Sequence, residues 1–184
     1  GNELFITAGG NGYVYDLLTN TLSAIANLAG IADQGGFING FFLAFHMATG
    51  TVYQSDLYDG TTWAPLNSFQ RNTQPDDWIA MYITSWNQIF LAGSKTRDYY
   101  YYTGTGSTPF AAAQSGVQPE GIAATYSVVE ANGQLIWLML TDQGGLRVMA
   151  ATGYRGQRVS NHAMETEISH YLRYDDAIGQ SYAE

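Results

Sequence analysis

Three kinds of side chain in this sequence could carry chemistry: paired carboxylates, histidines and arginines. Asp76–Asp77 follows Pro75, and Asp175–Asp176 comes near the C-terminus. Two carboxyls act as acid and base when their surroundings push their pKa values apart. Adjacent residues in an extended chain point to opposite sides, however, so both pairs are read as solvated turns. His46, His162 and His170 lack the spacing of a metal-ligand set. The last two would stand two helical turns apart, too far for one zinc ion. All three are read as structural histidines, and no metal or cofactor is expected. The six arginines are sparse and fall in expected turns, which does not suit several guanidinium groups converging on one substrate carboxylate. No nucleophile elbow, phosphate loop or dinucleotide fingerprint is present, and no catalytic residue is assigned.

One stretch raises a sharper question. SDLYDGTTW, Ser55 to Trp63, lies between apolar runs and reads as strand, tight turn, strand. It resembles the Asp-box of sialidase-type propellers, roughly S-x-D-x-G-x-T-W. The match is loose, because Asp59 and Gly60 are adjacent where the box has a residue between them. An Asp-box is in any case a turn whose Asp side chain caps backbone N–H groups. The stretch is therefore read as a hairpin, with Ser55, Asp56, Asp59 and Gly60 forming the turn and Trp63 packed in the core.

The chain has 184 residues, 46% of them hydrophobic and 12% charged. That is enough apolar material for a core and too little charge for a disordered segment. Fourteen tyrosines and 21 glycines suit an all-β protein with many turns. The net charge of −9 and the absence of any basic cluster argue against direct nucleic-acid binding. An acidic surface repels DNA, which suits a wall that DNA passes without sticking. The absence of cysteine excludes disulfides and thiolate metal sites. No apolar run has the length of a membrane span, and no membrane partner is expected.

The elements that would position these residues repeat along the chain. Leu4–Ile6, Phe41–Leu43, Ile89–Leu91 and Leu135–Leu138 are apolar strands. Each is followed by a Gly- or Asn-bearing turn and a second strand, rich in Tyr or Val. Phe42, Phe90 and Ile136 are 48 and 46 residues apart, a period typical of propeller blades. Residues 77–84 and 122–129 are predicted to supply further strands. The predicted fold is all-β: a propeller-like array of antiparallel meander units spanning residues 1–184 as one domain or part of a larger one. It would be an incomplete propeller, and an ordinary β-sandwich is the competing arrangement.

The pattern breaks at Ser160–Arg173, which reads as a helix with Ser160 as N-cap. Met164, Ile168, Tyr171 and Leu172 share one face and could dock on a sheet or a neighbouring subunit. In the YYYY run, Tyr99 and Tyr101 fall on one side of a strand and are candidate interface residues.

The segment QPDDWIAMYITSWNQIFLAGSKTRDYYYYTGTG at 74–106, with GIAATYS at 121–127 and GYRGQRVSNHAMETEISHY at 153–171, resembles the packaged-DNA stabilisation proteins of short-tailed phages. These are tail-hub, or tail accessory, proteins. The resemblance rests on the order of Ser55-Asp56-Leu57, Gln74-Pro75-Asp76, the strand closing on Gly93, the strand closing on Gly104, Gly121–Ser127 and the helix ending near Ile168. Asn72 and Thr73 stand in the region where the family has a Glu, and Asp98 where it often has another. The resemblance implies a virion structural protein at the head–tail junction, made in the host cytoplasm. It implies a ring of copies of itself beneath the portal protein, closing the channel on packaged DNA and carrying other tail proteins. The alternative from the residues is a carbohydrate-binding or sialidase-like propeller of a phage tail. That alternative requires a pocket with two carboxylates at glycosidase spacing.

Overall fold

The computed structural model describes residues 1–71 and 74–182. Asn72 and Thr73, where the sequence departs from the family pattern, lie outside the described residues. Among the described residues fifteen strands, in chain order, make four antiparallel sheets. Sheet 1 contains β1 (Glu3–Ala8), β2 (Asn11–Asp16) and β3 (Thr21–Ala24). Sheet 2 contains β4 (Gln34–Ile38), β5 (Phe41–His46), β6 (Thr51–Gln54) and β7 (Ser68–Gln70). Sheet 3 contains β8 (Trp78–Ile83), β9 (Gln88–Gly93), β10 (Arg97–Tyr102) and β11 (Phe110–Ala112). Sheet 4 contains β12 (Val129–Ala131), β13 (Gln134–Leu140), β14 (Leu146–Ala151) and β15 (Gly156–Arg158). In every sheet spatial order follows chain order, so each is a meander. This is the incomplete, propeller-like array that the period predicted, not the two-layer sandwich.

The strands follow from side-chain alternation and from the turn residues between them. Turns at Gly9–Gly10, Asn39–Gly40 and Asn132–Gly133 have positive φ at both residues. That backbone region is open to Gly and tolerated by Asn. Three apolar cores lie at the seams. Val14, Leu28, Phe42 and Trp63 fill the first, between sheets 1 and 2. Leu43, Phe45, Trp78, Ile89 and Leu91 fill the second, between sheets 2 and 3. Phe90, Tyr99, Leu135, Trp137 and Met149 fill the third, between sheets 3 and 4. Each large buried side chain contributes about 1.5–3 kcal/mol.

The first strands converge: β4 lies against both β1 and β8. Gly35 and Gly36 make this possible. A Cβ at Gly35 would meet Thr7 Cγ2 at 2.9 Å, and one at Gly36 would meet Ile83 Cγ1 at 2.5 Å. The innermost strand of a wedge-shaped array has no room for side chains on either face at this point.

Two expectations change. Residues 122–128 are not a strand but a loop, and β12 starts only at Val129. The loop crosses between sheets 3 and 4, with Ile122 N–H donating to Gly93 O (2.9 Å) and Ala123 N–H to Leu138 O (2.7 Å). Its apolar residues therefore face a seam rather than a strand partner. The helix is shorter than predicted: α1 spans His162–Ser169 and is capped by Asn161, whose side chain accepts from Met164 N–H. Ser160 is buried and serves β14 instead, accepting from Val148 N–H at 3.1 Å. Among the described residues sheet 1 has three strands where the others have four.

Gly121 begins the crossing loop. A Cβ there would sit 2.4 Å from Lys95 N and from the Ser94 carbonyl, and backbone cannot yield cheaply. Gly121→Ala is expected to lower stability by about 1–3 kcal/mol, measured as a fall in the urea midpoint with unchanged slope.

Candidate functional site

The polar groups that looked catalytic hold the seams. At the second seam Arg71, following β7, is buried and reaches into sheet 3. Its Nε donates to Asp98 Oδ2 at 2.7 Å, and its Nη1 donates to Asp76 O and Thr96 Oγ1, both at 2.6 Å. Trp78 Nε1 donates to the same Asp98 oxygen at 3.0 Å, and the guanidinium lies 5.5 Å from the Trp78 ring centroid. At the third seam Arg97 is fully buried. Its Nη2 donates to Glu120 Oε2 (2.9 Å) and to Tyr154 O (2.8 Å), and it sits 4.8 Å from the Trp137 ring centroid. At the first seam the link is a carboxylate: Glu3 Oε2 accepts from Gly60 N–H at 2.7 Å. The sequence places Arg71 and Arg97 in turns. Instead, Arg71 is a buried seam residue and Arg97 begins β10. Their partners lie 27 and 23 residues away, so local spacing carried no signal of them.

Asp76 is not a solvated turn either. It accepts five hydrogen bonds from Ser94, Lys95 and Thr96, at 2.8–3.1 Å. Burial pushes its carboxyl up, but these donors outweigh it and hold the pKa below the ordinary value. Gly93 makes room for it, since a Cβ there would meet Asp76 Oδ2 at 2.4 Å. Pro75 and Asp77 are exposed beside it.

SDLYDGTTW is a turn in the β6–β7 connection, closed by a single bridge between Asp56 and Asp59, and not a hairpin between long strands. Asp59 Oδ1 accepts from Thr61 N–H (2.8 Å) and Thr61 Oγ1 (2.6 Å), and these bonds lower its pKa. Trp63 is buried, donates from Nε1 to Gly60 O at 2.7 Å, and packs at a tilt against Phe5 of sheet 1, ring centroids 5.3 Å apart. Ser55 Oγ accepts from Phe42 N–H at 3.0 Å. The motif thus fastens sheet 2 to sheet 1.

The interface candidates divide. Tyr99 is 1% exposed, so it is a core residue and not a contact for another chain. Arg97 donates to its hydroxyl, which donates in turn to Gly153 O, and burial pushes its pKa up to about 12. Alternation in β10 is overridden because this end of the strand is sandwiched between sheets. Tyr101, two residues on, is exposed, and the loop beyond it passes through Gly104 at φ +75°. Met164 and Tyr171 are exposed, and α1 buries no residue. Ile168 instead faces the outer side of sheet 4, where it lines a cavity of about 530 Å³ with Ile136 and Val148. A larger cleft of about 900 Å³ lies between sheets 1 and 2, lined by Glu3, Phe5, Phe37, Phe42 and Tyr58. Glu3 is its one carboxylate, and Gly60 N–H already occupies it. Among the described residues no group of three or more His, Asp or Glu could hold a metal ion, and no helix is long and apolar enough to cross a membrane.

An array of meander sheets stapled by buried arginines across their seams defines a β-propeller-like protein. Residues 1–178 match the phage-stabilisation family model, described as Bacteriophage P22 Gp10, beta-propeller, and the chain belongs to that family of phage structural proteins. No curated protein matches. Among solved structures, a chain of PorZ, a bacterial surface component of the type-IX secretion system of Porphyromonas gingivalis, aligns at 12% identity and a TM-score of 0.43. The alignment covers 85% of this chain and 26% of that one, so this chain spans about a quarter of PorZ.

Asp98→Asn removes the nearer of the two carboxylates facing the buried Arg71, Asp76 Oδ2 remaining 3.7 Å from Nη1, and is expected to destabilise by about 1.5–3 kcal/mol in urea unfolding, the scale of a lost charged hydrogen bond. Asp59→Ala removes only an exposed cap and should cost about 0.5–2 kcal/mol. Asp76 has a folded pKa below its unfolded value, so its contribution is full above about pH 4 and is lost as pH falls further. The urea midpoint should therefore decline on acidification from pH 5 to pH 2, and Asp76→Asn should make that decline shallower.

Proposed function

We propose that this protein is a tail-hub component of the virion: it assembles with copies of itself in a ring beneath the portal protein, closes the channel on packaged DNA, and carries later tail proteins. The observation that carries this reading is the family match over residues 1–178. The charge distribution supports it. Net charge is −9, and two of the seven basic residues, Arg71 and Arg97, are buried at seams. What remains outside is acidic, a surface that DNA slides past rather than binds.

The exposed surface also supports protein contacts. Leu4, Ile6 and Leu22 are 51%, 37% and 59% exposed and stand on one face of sheet 1, since Leu4 and Leu22 both lie beside Tyr15. Tyr58, Tyr101 and Tyr171 project elsewhere. Apolar and aromatic side chains of this kind anchor protein interfaces. The cleft between sheets 1 and 2 lacks the pair of free carboxylates that glycoside cleavage uses.

Purified portal rings mixed with this protein should give a complex of defined stoichiometry in light scattering after size exclusion. Because its anchors would be apolar, the complex should survive 0.5 M salt. Failure to bind portal, together with binding of the protein to a bacterial surface-polysaccharide array, would contradict the reading.

A further inference from the structure

Three Asn-Gly pairs occur in the chain: Asn11-Gly12, Asn39-Gly40 and Asn132-Gly133. In such a pair the glycine nitrogen can attack the asparagine side-chain carbonyl, because glycine has no Cβ to shield it. The chemistry is the same in all three, so their surroundings decide which one reacts.

Two are held shut. Asn11 Oδ1 accepts from Gly30 N–H and its Nδ2 donates to Gly9 O, both at 3.1 Å. Gly12 is buried, and a Cβ there would meet Leu28 Cδ1 at 2.6 Å. Asn39 Oδ1 accepts from Asn87 Nδ2 at 2.7 Å, and Gly40 O accepts from Tyr58 N–H at 2.7 Å. Gly40 is buried against Tyr58 and Leu57, whose side chains a Cβ would meet at 2.8 and 2.9 Å. The third pair is open. Asn132 and Gly133 are both exposed, and nothing lies within 4 Å of a Cβ built on Gly133. Among the described residues neither the Asn132 side chain nor the Gly133 N–H has a hydrogen-bond partner.

We propose that Asn132 is a site of spontaneous deamidation, and that the reaction loosens the inner edge of sheet 4. The Gly133 nitrogen gives up its proton and bonds to Asn132 Cγ. The bond from Cγ to Nδ2 breaks, and Nδ2 leaves as ammonia with that proton. Water then opens the resulting succinimide at either carbonyl. Opening at Cγ leaves aspartate. Opening at the backbone carbonyl leaves isoaspartate, in which the main chain runs through Cγ and is one carbon longer. The extra carbon falls in a two-residue turn with φ of +51° and +71°, and the turn fixes the register of its hairpin. β12 pairs with β13 through three residues, Val129, Glu130 and Ala131. Glu130 Oε2 accepts from Ser85 N–H at 2.8 Å, which ties β12 to the β8–β9 turn of sheet 3. Glu130 O accepts from Ser181 Oγ at 2.7 Å, which ties down the C-terminal segment. Loss of the turn releases both contacts. The chemistry needs no partner and stands apart from the hub role.

Trypsin separates the sites: Arg71 closes a fragment that holds Asn11 and Asn39, and residues 98–147 hold Asn132 as their one asparagine. The wild type is aged in mildly alkaline buffer, digested, and assayed for isoaspartate by mass spectrometry and by an isoaspartyl methyltransferase. Isoaspartate should accumulate at Asn132 about tenfold faster than at Asn11 or Asn39, or more, because the packed turns must open before they react. Ageing in guanidinium chloride should remove most of that difference. Hydrogen exchange on the deamidated fraction should show lost protection in β12 and at Gly179, whose N–H donates to Tyr126 O. Fresh Asn132→Asp, which has the charge without the extra carbon, should keep that protection. No isoaspartate at Asn132, or an equal rate at all three turns of the folded protein, overturns the site. Isoaspartate at Asn132 with unchanged exchange in β12 overturns the structural consequence.

Discussion

Among the described residues the four sheets share no strand pairing with one another, and the rest of the structure depends on that constraint. Backbone ladders stabilise each meander internally but say nothing about the angle between one meander and the next. That angle is set by apolar contact, which is non-directional, and by a small number of directional polar links across each seam. Glu3 with the Gly60 turn, Arg71 with Asp98, and Arg97 with Glu120 are the charged ones among those links, beside neutral-donor bonds such as Asn27 with Trp63, Gln34 with Met81 and Ser85 with Glu130. A buried ion pair adds little net stability compared with a well-packed apolar substitute. Its contribution here is geometric. A planar guanidinium held between a carboxylate, a backbone carbonyl and an indole face fits one relative placement of the two sheets.

The sequence made the repeat visible because each unit carries its own local signals. Apolar triplets such as Ile89–Leu91, Gly- and Asn-bearing turns, and the 48-residue step from Phe42 to Phe90 all lie within reach of a reading along the chain. Trp63 and the Asp59 turn were legible for the same reason, since donor and acceptor are two residues apart. The seam residues were not legible. Arg71 and Asp98 look like ordinary surface charges until the fold brings β7 and β10 together, and Asp76 looks like a turn carboxylate until the Ser94–Thr96 backbone closes around it. Tyr99 was misplaced because period-two alternation assumes a strand with one wet face, whereas β10 begins between two sheets. The loop at 122–128 is apolar enough to mimic a strand because it crosses a seam.

This economy of charge bears on function. Two of the six arginines, Arg71 and Arg97, are turned inward, where Trp78 and Trp137 cover them. The exterior keeps the excess of carboxylates. The hub role proposed above would call for a part that folds without disulfides and meets DNA without holding it. Withdrawing Arg71 and Arg97 into the seams fits that proposal, because the same residues that orient the sheets are removed from the surface.

The most direct test of the seam account is native-state hydrogen exchange, followed amide by amide, on the wild type and on Arg71→Met. The substitution keeps side-chain length and apolar contact but removes the bonds to Asp98, Asp76 and Thr96, leaving across the second seam only the weaker neutral bonds of Gln34 with Met81, Gln54 with Ser107 and Asn39 with Asn87. The account predicts that sheets 1 and 2 then open separately from sheets 3 and 4, with two distinct exchange free energies where the wild type has one. A uniform fall in protection across all four sheets, with no division at that seam, would contradict it.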